Sequence, residues 1–335
     1  MTQDSPPPEI MDLDSANAFR DQFYQLSDDV SKRIHGQNSL IEKLMIGFLA
    51  GGHILLEGLP GLAKTTLVRL LASGLGLPYG RVQMTPDIMP GDILGSAILK
   101  PDLSGFLFQP GPIFTTILLV DELNRAPAKV QSALLEAMQE RQITTGSETH
   151  ALSPLFWLIA TQNPIEQEGT YPLAESQKDR FLLRLSVQYP DRSAETQIMA
   201  DLNDPLESPV PKMNFDQKQL SELQSLIRRI HCSPTIINWA TKIVQATRDP
   251  SELGLSDKVL WGVSPRGGRM WLRAARARAW WQNRDFVIPE DLYTLADDAL
   301  SHRILKQWTG RGFDTPAAGD HHSLVNRLVE ALGPP

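Results

Sequence analysis

The 335-residue chain contains one cysteine, Cys232. That excludes a disulfide framework and any multi-cysteine metal site, and it fits a reducing compartment. Long apolar runs are also missing. The longest uncharged stretch, 103–120, is interrupted by Gln109, Pro110, Gly111 and Pro112, which a membrane-spanning helix would not favour. Met1-Thr2-Gln3-Asp4 has no basic character and no apolar block follows, so no secretory signal is read and the expected location is cytoplasmic. Positive charge is not in excess: the net charge is −7, and residues 1–29 hold seven acids and one arginine. The rest is nearly neutral, which argues against binding driven by phosphate neutralisation. The seven histidines, His321-His322 among them, form no zinc-ligand pattern, and no Gly-x-Ser-x-Gly or Cys/His nucleophile signature occurs.

Hydrophobic residues make up 41% of the chain, enough for a large core without staples. Residues 1–15, with Pro6-Pro7-Pro8 and scattered acids, read as a flexible tail. From 16 to 190, apolar strand candidates at 53–57, 81–84, 116–120, 156–161 and 181–187 alternate with helical patterns. This predicts a doubly wound α/β layer covered on both faces. One such helix is 129–141, with Val130, Ala133, Leu134, Ala137 and Met138 on a single face. After Tyr189-Pro190 the pattern becomes helical, near 192–202, 216–230, 234–247, 265–282 and 289–303. Residues 191–335 therefore read as a smaller all-α domain.

The strongest motif is Gly58-Leu59-Pro60-Gly61-Leu62-Ala63-Lys64-Thr65-Thr66, set between a strand and a helix. That context suits a phosphate-binding loop, in which glycines and backbone amides wrap a polyphosphate. Lys64 would reach the β/γ-phosphates and the Thr65 hydroxyl would ligate Mg²⁺. Ala63 stands where the general pattern has glycine, and its methyl calls for a right-handed, helical backbone. The bland alternative is a turn that happens to hold Lys-Thr. A second signal is an apolar strand ending in Asp121-Glu122. At the carboxyl edge of a parallel sheet, Asp121 would hold Mg²⁺ and Glu122 would polarise the attacking water; alternatively, Asp121 caps the next helix.

Together with Gln83 to Asp92, Gly111-Pro112-Ile113-Phe114, Asp121 to Pro127, Gln131 to Met138, Ala160 to Leu173 and Val263-Ser264-Pro265-Arg266, these segments resemble the AAA+ ATPases and, within them, the MoxR family. The resemblance spans roughly 30–303. It implies an AAA+ phosphate-loop domain with a helix-2 insert hairpin, followed by an all-α lid, and ATP with Mg²⁺ as cofactors. It gives Asn163 the sensor 1 position, where its amide orients the attacking water; an Asn-Pro turn is the alternative. It makes Arg180 an arginine finger for a neighbouring subunit, against an ion pair with Asp179. It makes Arg266 sensor 2, in its own or the next subunit, and puts Gly36-Gln37 beside the adenine. The Ala63 variant matches the MoxR form. Arg125 faces either a neighbour or a structural salt bridge. The insert at 96–109 places Leu103, Phe106 and Phe108 toward a central pore or packs them locally, and 142–152 resembles the pre-sensor hairpin.

The family implies a homo-oligomeric, hexameric ring acting as a chaperone-like remodeller, with a von Willebrand factor A domain protein as partner. Two other readings compete. A nucleic-acid motor of the same clade would use the six arginines of 266–284, with Trp271 or Trp280 stacking on bases. The quieter reading of that helix is a lid element burying its Met270, Ala274, Ala277 and Trp281 stripe. A small-molecule phosphotransferase could also use the same loop.

Overall fold

The computed structural model describes residues 13–100, 106–145, 148–164, 170–201, 205–206, 210–213, 215–253, 259–306 and 324–335. Most of the 1–15 tail, Leu103, the turn at 101–105, the hairpin tip at 146–147 and His321-His322 lie outside them.

Two helices, α1 (Leu13–Ser31) and α2 (Asn38–Leu49), precede the first strand, β1 (Ile54–Glu57). There follow α3 (Lys64–Leu75), β2 (Tyr79–Gln83), the short α4 (Pro90–Leu94), β3 (Gly95–Leu99), β4 (Phe106–Pro110) and β5 (Ile117–Asp121). Next come α5 (Ala128–Glu140), β6 (Gln142–Thr145), β7 (Glu148–Ala151), β8 (Trp157–Gln162), α6 (Glu175–Lys178) and β9 (Leu183–Ser186). Five of these strands form one parallel sheet in the order β2-β5-β8-β1-β9. Successive side chains of a strand point to opposite faces, and the core divides accordingly. Ile117, Leu119, Trp157 and Ile159 face one hydrophobic core, and Leu118, Val120, Leu158 and Ala160 face the other. The second core is closed by α5 through Val130, Leu134, Leu135 and Met138.

The first core is larger, because most of the carboxyl-terminal helices share it. The carboxyl-terminal helices are α7 (Arg192–Ala200), α8 (Gln217–Ile227), α9 (Pro234–Ala246), α10 (Pro265–Trp281), α11 (Pro289–Leu300) and α12 (Leu324–Leu332). Trp271 and Trp280 of α10 are fully buried there. Arg273 donates to the Gly51 carbonyl at 2.7 Å, and Gln224 donates to the Phe48 carbonyl at 2.6 Å, tying this layer to the end of α2. The lid also contains a small antiparallel pair, β10 (Val259–Trp261) with β11 (Leu305–Lys306), which periodicity does not predict.

Both insertions are hairpins: β3 pairs with β4 and β6 pairs with β7, each antiparallel. Phe108 stacks on His150 at 3.9 Å between ring centroids and meets Phe114 edge-on, so it packs locally and does not project toward a pore. Phe106, in contrast, is 71% exposed. Among the described residues, no helix is long and apolar enough to cross a membrane.

Candidate functional site

Parallel strands carry their exits to one edge of the sheet, and here three neighbouring exits converge. β8 lies between β1 and β5, with Glu57 opposite Gln162 and Val120 opposite Ala160. The phosphate loop, Asn163 and the Asp121-Glu122 pair therefore start side by side.

The loop leaves β1 at Gly58. A Cβ there would meet the Val187 carbonyl oxygen at 2.8 Å, so the close approach of β9's exit demands glycine. Gly61 has φ +82° and open space where a Cβ would go, so its need is conformational. Ala63 also has positive φ, +54°, which corrects the right-handed backbone expected from its methyl. Backbone hand, and not side-chain size, is what turns successive N–H groups inward to form an anion nest. The methyl is tolerated because the residue is exposed. Leu59 and Leu62 are half-buried and Pro60 is exposed; α3 then begins with Lys64, Thr65 and Thr66, all half-buried at its first turn. Lys64 Nζ donates to the Gly58 carbonyl across the loop.

Asp121 is nearly buried and accepts three hydrogen bonds. Thr65 Oγ1 donates to Oδ2 at 3.3 Å, Arg81 Nε donates to Oδ2 at 2.7 Å, and Thr161 Oγ1 donates to Oδ1 at 3.2 Å. Glu122 adopts a left-handed backbone, φ +57°, and its N–H donates to Thr161 Oγ1 at 2.9 Å. Its carboxylate pairs with Arg125 at 2.9 Å, so Arg125 makes the intrachain salt bridge. Asn163 is buried beside this pair, and its carbonyl accepts from Asn124 Nδ2 at 3.4 Å. Arg81 and Thr161 are the residues that sequence reasoning missed. Arg81 is visible only through register, since it lies on β2, the strand paired with β5.

The donor set beside the loop is that of a divalent-ion site. A hydroxyl and a carboxylate are hard oxygen ligands suited to Mg²⁺. Three donors occupy Asp121, and a carboxylate has about four lone-pair positions, so one remains. The residues fit.

Gly36 and Gln37 lie at the exit of β9. A Cβ on Gly36 would meet Ala194 at 2.8 Å and Pro190 at 3.0 Å, and Gln37 Nε2 donates to the Gln188 carbonyl at 2.9 Å. Val187 touches Gly58, so this segment joins the phosphate loop to a cavity of about 490 Å³ lined by Gly36, Gln37, Lys43, Tyr189, Tyr293 and Asp297.

Arg180 and Arg266 are not part of this cluster. Leu182 N–H donates to the His53 carbonyl at 2.7 Å, and Leu183 pairs with Ile54, so Arg180 sits at the amino end of the sheet. The length of β1 alone separates that end from the phosphate loop by about 13 Å. Arg266 is at the same end: Ser264, which caps α10, donates to the Asp179 carboxylate at 3.2 Å. Among the described residues neither guanidinium has an ion-pair or hydrogen-bond partner, and Asp179 pairs with Arg303 instead of Arg180.

Of the other arginines of 266–284, Arg269 is exposed and four are committed internally. Arg273 and Arg276 hold backbone carbonyls, and Arg278 and Arg284 hold the fully buried Asp291. Buried Trp271 and Trp280 cannot stack on bases, which removes the stacking part of the nucleic-acid reading.

Comparison with known proteins agrees with this geometry. Residues 53–183 match the ATPase family associated with various cellular activities (AAA), and residues 255–318 match the AAA lid domain. The chain is 41% identical to Chaperone MoxR1 of Mycobacterium tuberculosis, over 92% of this chain and 81% of that one. It is 31% identical to Protein MoxR of Methylorubrum extorquens, over 85% and 88% respectively. The crystal structure of a Cytophaga hutchinsonii protein assigned as an ATPase superposes with TM-score 0.82 at 38% identity, covering 95% of this chain and 94% of that one. A parallel sheet, a phosphate loop and a helical lid, matched over nearly the whole length of such relatives, make this chain a MoxR-family AAA+ ATPase, an enzyme that hydrolyses ATP.

Proposed function

We propose that copies of this chain form a ring, hexameric as in the resemblance, in which each ATP site is built by two subunits. One subunit would contribute the phosphate loop, Asp121, Glu122 and Asn163. The next would contribute Arg180 and Arg266. The supporting observation is the placement of these two unpaired cations at the amino end of the sheet, opposite the phosphate loop of the same chain. An unpaired guanidinium has a purpose where an anion will arrive, and the chain's own triphosphate lies too far away.

Within the site, Gly58 to Thr66 hold the phosphates through backbone amides and Lys64, while Gly36 and Gln37 border the nucleoside end. Thr65 and Asp121 would hold Mg²⁺, which supplies charge neutralisation at the phosphates. Asn163 orients a water against the γ-phosphorus, and Glu122 takes its proton. The water oxygen bonds to the γ-phosphorus as the bond to the β–γ bridging oxygen breaks, leaving ADP and inorganic phosphate. Arg180 stabilises the charge that develops, an effect worth about 10³–10⁵ in rate in comparable systems.

Turnover would drive a chaperone-like remodelling of protein complexes, the role that the name Chaperone MoxR1 suggests. A von Willebrand factor A domain protein is the partner proposed from the family resemblance, and the division of the chain at 190 is part of the same reading.

The test uses mixed rings. Arg180→Ala should bind ATP normally and hydrolyse it slowly, whereas Glu122→Gln should bind without turnover. Mixing the two should restore hydrolysis, because Glu122→Gln subunits lend their Arg180. Mixtures that stay inactive while co-assembled would refute the shared site.

A further inference from the structure

α6 is only four residues long, and a helix end leaves carbonyl groups without partners. In many helices a glycine turn satisfies them. Here the N–H groups of Asp179, Arg180 and Phe181 take the carbonyls of Glu175, Gln177 and Lys178, and a side chain from the lid takes the carbonyls that follow. Arg303, in the turn after α11, is buried, and its guanidinium reaches the segment that follows α6. Nε donates to Asp179 Oδ1 at 2.8 Å, and Nη2 donates to the Asp179 carbonyl at 3.2 Å and to the Phe181 carbonyl. Nη1 donates to the Leu182 carbonyl at 3.4 Å. Arg180 lies between the two residues whose carbonyls are held by Nη2.

The same arginine fixes the start of α10. A Cβ on Gly267 would meet Arg303 Cδ at 2.6 Å, so the arginine stem lies against that first turn. Ser264 Oγ accepts from Gly267 N–H at 3.1 Å and donates to the Asp179 carboxylate held by Arg303. Arg266 is two residues from Ser264. The backbones carrying Arg180 and Arg266 thus share one buried clamp: Arg303, Asp179 and Ser264. Burial pushes the Arg303 pKa down to about 10, partly offset by Asp179, so it stays charged at neutral pH.

We infer that Arg303 is a positioning residue that holds Arg180 and Arg266 as one rigid two-cation prong, so that docking of the lid sets the geometry of the neighbouring subunit's site. Lid movement would then reach the next subunit through a side chain 123 positions from Arg180 in sequence. This inference rests on the shared-site reading, and it adds a residue that touches neither nucleotide nor water.

The experiment compares Arg303→Met, which keeps a long side chain without the guanidinium, with Asp179→Asn, which keeps a carbonyl oxygen without the ion pair. Binding of a fluorescent ATP analogue with Mg²⁺ should stay within about threefold of the parent, and turnover should fall at least tenfold, since a finger is worth about 10³–10⁵. Mixing either variant with Glu122→Gln should restore turnover as it does for Arg180→Ala. Arg303→Lys should not rescue, because an ammonium cannot span carbonyls on both sides of Arg180. Should Arg303→Met fail to fold, Asp179→Asn and Ser264→Ala carry the test. Turnover within twofold of the parent in these variants would overturn the inference. So would rescue of Arg180→Ala without rescue of the clamp variants, which would mark a defect in their own sites. Failure to rescue Arg180→Ala itself would overturn the shared-site reading, and this inference with it.

Discussion

His53 is buried just ahead of β1, and both ring nitrogens are engaged. Leu158 N–H donates to Nδ1 at 3.0 Å, and Nε2–H donates to the Met138 carbonyl at 3.2 Å. Nδ1 must therefore be unprotonated, and burial lowers the ring's pKa from 6.5 to about 3. The folded-state value is depressed, so below pH 6.5 the unfolded chain takes a proton that the folded chain refuses. Stability from this group is complete above pH 6.5 and declines as pH falls toward 3. The loss is about 1.4 kcal/mol per pH unit, or about 2 kcal/mol between pH 6.5 and 5. His302 is also buried, and desolvation lowers its pKa, so it acts in the same direction. His53→Asn keeps an acceptor for Leu158 N–H and removes the titration. Urea unfolding of parent and variant, repeated from pH 7 to 5, should show a slope shallower in the variant by up to about 1.4 kcal/mol per pH unit. Asp298, whose pKa burial raises, works in the opposite direction but is common to both proteins. Equal slopes would refute the argument.

Thr161 donates to Asp121 and accepts from the Glu122 backbone in a buried position. Thr161→Val should cost about 1–3 kcal/mol in denaturant unfolding, because a buried N–H is left unpaired; it should reduce turnover more than ATP affinity. At Ala63, φ +54° disfavours any side chain and disfavours a branched one most. Ala63→Gly should keep ATP binding, whereas Ala63→Val should weaken it tenfold or more, as measured by nucleotide titration.

The strands and the phosphate loop were legible because their signals are local. β1, β5 and β8 are mainly apolar, as strands buried on both faces must be, and Gly58, Asp121 and Asn163 lie at or just past their ends. Ala63 misled because residue type reports size, while the loop requires a backbone hand. Arg81 was hidden because only register brings it to Asp121. Arg303 was hidden more deeply, since its partner Asp179 lies 124 positions away. The arginines of α10 looked like a surface because sequence cannot tell a solvated cation from one that holds a carbonyl or a buried carboxylate.

The two margins of the central sheet are unlike each other. β9 is covered by α11, and β2 carries Arg81 and Gln83, both exposed. A helical cover and a charged border both discourage another chain from extending the ladder. Sister molecules would then meet through helices and loops, without shared backbone bonding. Contacts of that kind can rotate and re-form with each catalytic cycle while every strand keeps its own neighbours.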